Sequence, residues 1–352
     1  MSESDRRRRT RLAALIGAAA VAAVLIALIV LSSGGGSTDQ PAKGGGAAPG
    51  PRERLSLTLD FYPNADHAGI YAAQAGGHFG DRGLDVRVRA PADPAAPLKL
   101  VAAGKTDVAV SYEPEVLRAR DKGVPVVAIA ALVQKPLTSI VSLPKAGIRS
   151  PVDLRGKRVG TAGIDYQSAY LQAVLAHAGV ARSAVRERNV GFDLLPALAT
   201  GKVDAVLGAF WNYEGVDLRL RGRHPQIIRI DEAGVPPYDE LVIVASEKSV
   251  REHPGRLRRF VAALGDGTRD LAEDPAAGLS ALLRANRDLD SRLQRESIKV
   301  TTPLFLPPEG RPYGWQDPAA WRRFGDFMLR NRLIEHPAAG AFTNELLPAA
   351  GG

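Results

Sequence analysis

The chain of 352 residues contains no cysteine. That excludes structural disulfides, thiolate metal sites, cysteine nucleophiles and lipid attachment through an N-terminal cysteine. Histidine is scarce as well. The six present are scattered without metal-site spacing, so no zinc centre is expected. Positive charge is thin where a nucleic-acid surface would need it. Of the net +8, Arg6, Arg7, Arg8, Arg9 and Arg11, opposed only by Glu3 and Asp5, carry +3, and the remaining +5 is dispersed over the rest of the chain. No nucleic-acid partner is expected. With 45% hydrophobic and 24% charged residues, the composition is that of a globular protein with room for two domains of moderate size.

The arginine cluster precedes twenty uninterrupted apolar residues, Leu12–Leu31. At ~1.5 Å per residue such a helix is ~30 Å long, the thickness of a hydrocarbon core. The arginines would stay cytoplasmic and everything after Leu31 would lie outside. The run is long for a signal peptide and no clear cleavage site follows it, so an uncleaved anchor is favoured over a cleaved signal. Arg8-Arg9 is also compatible with a twin-arginine export signal. Residues 32–53, rich in Gly, Ser, Pro and Ala, read as a flexible linker. The division expected is a cytoplasmic stub at 1–11, the anchor at 12–31, the linker at 32–53 and then the folded part.

In the folded part, strand-like runs alternate with helical patterns. Strands are expected at 55–61, 84–90, 107–112, 124–132, 158–161, 204–210 and 241–246. Helices are expected at 67–75, 98–103, 115–122 and 166–179, with a largely helical stretch from Pro254 onward. Such alternation predicts mostly parallel sheets covered by helices. One internal echo stands out. AAGKTDVAVSYEPE (102–115) and ATGKVDAVLGAFWNYE (199–214) share a helix end, Gly-Lys-x-Asp, a buried strand, then aromatic and acidic residues. The repetition suggests two similar lobes, each presenting an aromatic–acid pair at the carboxyl end of a strand, where ligands of open α/β sheets bind. Gly-Lys-x-Asp by itself is also a common turn, with Gly as the helix C-cap.

Five stretches carry a resemblance to a known family: DFYPNADHAGIYAAQAGGHFGDRGLDVRV (60–88), SYEPEVLRARDKGVPVVAIAALVQKPL (111–137), DLRGKRVGTAGIDYQSAYLQAVL (153–175), GAFWNYEGVDL (208–218) and PPYDELVIVAS (236–246). They resemble the NMT1/THI5-like solute-binding proteins, over about residues 55–335, and in particular the branch that binds thiamine-precursor pyrimidines for ABC importers. The resemblance implies an α/β fold of the type II periplasmic-binding kind. Lobe one would comprise 54–140 and 246–335, lobe two 141–245, and residues 336–352 a C-terminal tail. The lobes would close about crossovers near Ser139–Leu143 and Val242–Ala245. It further implies a small aminopyrimidine ligand, an ABC permease as membrane partner, a monomer and no cofactor. The same family contains pyridoxal-dependent pyrimidine synthases, which use a lysine, a sacrificial histidine and a cysteine-rich segment. Here the lysine position is Ser111, the histidine position is Glu115, and cysteine is absent, so an enzyme of that type is not expected.

A 4-aminopyrimidine needs flat apolar walls and a few fixed polar groups. The resemblance makes Glu214 the acceptor for the exocyclic amine; the alternative is a solvated loop acid. Trp211 would either stack on the ring or pack the lobe edge, with Tyr213 facing the other way. Phe61 stands where relatives carry Trp and is a candidate wall. Asn64 either caps a helix or touches ligand, and His67 either donates to ligand or makes a structural bond. Tyr112 and Glu113 would line the cleft, or serve the core or hinge. Gly160, Thr161 and Gly163 would aim backbone N–H groups at a ligand oxygen. Tyr166 and Tyr238 are further candidate walls. The rival readings are a sulfonate or nitrate binder, which requires a cationic side chain in the cleft, and a sensor domain signalling through the anchor, for which the eleven-residue stub offers little.

Overall fold

The computed structural model describes residues 51–337 and 339–349. The expected anchor, the stub and the linker up to residue 50 lie outside them. Among the described residues, no helix is long and apolar enough to cross a membrane. The described residues hold ten strands in two sheets: β1 (Glu53–Thr58), β2 (Leu84–Arg89), β3 (Val108–Ser111), β4 (Val126–Val133), β5 (Thr138–Ser142), β6 (Arg158–Thr161), β7 (Arg186–Asn189), β8 (Ala205–Phe210), β9 (Gln226–Arg229) and β10 (Leu241–Ser246). The first sheet runs β2-β1-β3-β10-β4 and the second β7-β6-β8-β5-β9. In each, four strands run in one direction and one, β10 or β5, is antiparallel to both its neighbours. That antiparallel strand is the one that arrives from the other lobe.

The echo has a structural cause. Gly104 and Gly201 end the short helices Pro97–Ala102 and Leu194–Ala199 in the left-handed region, at φ +65° and +72°. The aspartate three residues on then closes each turn. Asp107 accepts from the backbone N–H of Ser56 on β1, and Asp204 from that of Arg158 on β6, both at 2.8 Å. Each lobe thus locks its central strand to the first strand with the same bond.

The crossings between sheets differ from the expectation. Ser139–Leu143 falls largely inside β5 and Val242–Ala245 inside β10. The chain passes between sheets at 134–137 and at 233–240. An apolar run such as SIVSL gives no sign of where pairing begins, because both flanks of β5 are covered by strands. The C-terminal stretch is not a separate tail. Ala341 and Thr343 bond the two sides of Ala128, adding a short parallel rung outside β4. This explains why all eight residues of an edge strand are buried.

Candidate functional site

Where the carboxyl ends of β1 and β3 face those of β6 and β8, a cavity lies between the lobes. Asp60 and Phe61 enter it just past β1 and Tyr112 just past β3. Ala162 and Ile164 come from the loop after β6. Phe210 ends β8, and Tyr213 and Glu214 start the helix Glu214–Leu220. The free volume is about 20 Å³, room for about one water molecule and far less than a heterocycle occupies. Any ring must therefore be admitted by parting the lobes or by turning side chains. At the rim, Phe61 meets Phe192 of the second lobe edge-on, ring centroids 4.7 Å apart, and Tyr62 lies 4.1 Å from the same ring.

Two carboxylates face the cavity, and among its lining residues there is no lysine, arginine or histidine. Burial would raise Asp60. The hydrogen bonds from His67 (2.8 Å) and Tyr112 (2.7 Å) outweigh it and hold the carboxyl below the usual range. Glu214 is pushed up to about 7 by burial, against a 2.7 Å bond from the Phe210 N–H. The first is a fixed negative charge; the second changes charge near neutrality. Gln167 supplies the complementary donor. Its Oε1 accepts from the Ala162 N–H at 2.8 Å, which fixes the amide orientation. Its Nε2 then lies against Gly208, where a Cβ would come within 2.2 Å of it and φ is +101°. Glycine is required there on both counts.

Of the residues singled out from sequence, Phe61, Asn64, Tyr112 and Glu214 line the cavity. Asn64 is also the cap. Its Oδ1 accepts from the Asp66 N–H and its Nδ2 donates to the Tyr62 carbonyl, leaving little for a ligand. The others stand elsewhere. His67 is fully buried, with Nδ1 accepting from the Asn64 N–H and Nε2 bonded to Asp60. Both ring nitrogens are spent, so it acts through Asp60. Gly160 abuts Val203 and Val206 in the core. The Thr161 hydroxyl reaches Glu187, and Gly163 packs on Asn189; the loop offers the cavity Ala162 and Ile164 instead. Tyr166 is enclosed between Tyr112 and Tyr170. Tyr238 packs on Phe324 and donates to Glu240. Trp211 does not stack in the cavity. Its Nε1 donates to the Pro136 carbonyl, its backbone N–H to that of Leu137, and Arg229 covers its ring at 5.0 Å. It fastens the second lobe to the first crossing, while Phe210 and Tyr213 provide the aromatic surface. Glu113 binds the Asp239 N–H at 2.7 Å, in the second crossing.

Sequence reading passed over Asp60, Gln167, Gly208, Phe210 and Tyr213. Asp60, Phe210 and Tyr213 stand directly beside Phe61, Trp211 and Glu214. Only the local turn decides which of them faces inward. Gln167 had no signal beyond its place in the first turn of a helix.

A second buried carboxylate ties the crossings together. Glu240 accepts from the N–H groups of Leu137 and Thr138, from the Thr138 hydroxyl and from Tyr238, all within 2.6–2.9 Å. Burial pushes it up to about 7 against those four donors. Glu115 accepts from the Ser111 hydroxyl. Among the described residues, no group of three or more His, Cys, Asp or Glu side chains is placed to hold a metal ion.

Residues 64–278 match the sequence model of the family described as NMT1/THI5 like. The chain is 34% identical to the formylaminopyrimidine-binding protein of Halalkalibacterium halodurans over 83% of its own length and 90% of that protein's. It is 36% identical to a Haemophilus influenzae protein described as a thiamine biosynthesis protein, covering 80% and 88% of the two chains. Among solved structures, the alkanesulfonate-binding protein SsuA from Xanthomonas axonopodis pv. citri shares the fold at a TM-score of 0.65 and 18% identity, covering 84% of this chain and 99% of that one.

Proposed function

This chain belongs to the NMT1/THI5-like family, and from that premise we propose that it is an extracytoplasmic solute-binding protein that captures a thiamine-precursor aminopyrimidine for an ABC importer. One observation carries the reading: a cleft between two lobes with aromatic walls, two carboxylates and no cation among its lining residues. A sulfonate or nitrate would meet Asp60 and Glu214 with nothing to balance its charge. An aminopyrimidine offers what those groups want. Its exocyclic amine donates to Glu214, its ring nitrogen or a formyl oxygen accepts from Gln167 Nε2, and Phe61 and Phe210 supply flat apolar contact. Asp60, held ionised by His67 and Tyr112, favours a ligand carrying partial positive charge. The lobes part and close about 134–137 and 233–240, with Glu240 holding the two crossings in register.

No bond is made or broken in this reading. Ser111 and Glu115 occupy the places of the synthase lysine and histidine and are bonded to each other, which supports binding over catalysis. The apolar run Leu12–Leu31 behind five arginines supports a single membrane anchor with the binding domain outside, next to a permease. The test is calorimetric titration of the full chain with formylaminopyrimidine, hydroxymethylpyrimidine, thiamine and taurine. A pyrimidine should bind tightly and taurine not at all; the reverse outcome would sink the proposal.

A further inference from the structure

Behind the cleft, the helix Ser291–Phe305 turns a polar face inward. Gln294, Ser297 and Thr301, spaced three and four apart, lie on one side and are fully buried. Opposite them stand Asp66 of the first lobe and Asn212, from the turn after β8 in the second, both buried. Asn212 Nδ2 donates to Asp66 Oδ1 at 2.6 Å and to Thr301 Oγ1 at 2.7 Å. Gln294 Nε2 donates to the Tyr213 hydroxyl at 2.9 Å, and the Thr301 hydroxyl to the Ser297 carbonyl. Four buried oxygens remain without any partner: Asp66 Oδ2, Asn212 Oδ1, Gln294 Oε1 and Ser297 Oγ. Buried polar atoms almost always have partners. Turning the Asn212 amide over would set its carbonyl oxygen against the Asp66 carboxylate and break that bond.

The geometry points to a buried monovalent cation, of sodium's size and hardness, held between the lobes by Asp66, Asn212, Gln294 and Ser297. Three of the four free atoms are pure acceptors, so the cluster is short of positive charge rather than of hydrogen-bonding groups in general. One carboxylate among neutral oxygens matches a single charge. Divalent calcium or magnesium draws on more carboxylate, and softer metals want imidazole or thiolate. Burial pushes Asp66 up to about 6 as the cluster stands, and a bound cation would oppose that rise. Both lobes contribute ligands, and Tyr213 and Glu214 of the same turn line the cleft, so cation and solute should strengthen one another's binding reciprocally.

The test uses the full chain without solute, melted in sodium, potassium, lithium and choline chlorides at equal ionic strength. The expected result is a saturable rise of several degrees in sodium over choline. Asp66→Asn should abolish that rise. Should Asp66→Asn fail to fold, Ser297→Ala should raise the half-saturating sodium concentration about tenfold, the cost of one lost ligand. Identical melting in sodium and choline would overturn the proposal in favour of internal water. So would a calcium response without a sodium one, or a full sodium response in Asp66→Asn.

Discussion

The two lobes begin the same way and finish differently. Each presents a short helix, a left-handed glycine, an aspartate bonded to the neighbouring strand and then a buried strand. Past the end of β3 the chain turns straight into a helix, and its acids serve the frame: Glu113 binds Asp239 in the second crossing and Glu115 binds Ser111. Past the end of β8 the chain runs on through Trp211 and Asn212 before its helix begins, and that extra turn brings Phe210, Tyr213 and Glu214 onto the cavity. A duplicated scaffold has thus been put to two uses. The acids past β3 brace the frame, whereas Glu214 past β8 faces the cavity.

The joining side should show the largest effect. Glu240→Ala leaves the Leu137 and Thr138 N–H groups without their acceptor and should cost about 3–5 kcal/mol in urea unfolding of the full chain. A loss under about 1 kcal/mol would mean the crossings are held by something else. Next comes pH. Glu214 is raised from 4.5 to about 7, so the folded state holds its proton more tightly than the unfolded chain does. That stability is fully present below about 4.5 and lost as pH rises through about 7. Glu214→Gln should gain on the wild type by about 3 kcal/mol between pH 4.5 and 8; a constant difference would place Glu214 in water.

On the receiving side, Glu214→Gln should weaken pyrimidine binding at pH 8 by about 1.5–3 kcal/mol in calorimetry. Glu115→Gln should leave it unchanged, and equal losses would erase the distinction between the two strand ends. The smallest effect belongs to Trp211→Phe. Losing the bond to Pro136 should cost about 1 kcal/mol of stability with affinity intact, whereas Phe210→Ala should lower affinity. A tenfold loss of affinity in Trp211→Phe would return the indole to the ligand.

Much of the frame was legible because it is written in short-range chemistry. β6 and β10 begin and end at the residues expected from sequence, 158–161 and 241–246. The echo around Asp107 and Asp204 marked the lobes because both copies keep the residues that one local bond requires. The site was legible only to within a turn. Phe61, Tyr112 and Glu214 reach the cavity, yet Trp211 was preferred over Phe210 and Tyr213. Likewise Tyr166 and Tyr238, candidate walls by sequence, belong to a buried aromatic column with Tyr170 and Phe324.

The sequence by itself determined the alternation of strands and helices, the pairing of two similar lobes and the absence of thiol chemistry. Each depends on residue type, or on neighbours a few positions apart. Tertiary structure alone decided which side chains share the cavity, where the chain crosses between sheets and which acids are consumed by backbone N–H groups. Those outcomes depend on partners a hundred or more residues away, as in Glu240 with Leu137 and Thr138 or Asn212 with Asp66. Nothing in either local sequence announces the distant donor that its carboxylate will meet.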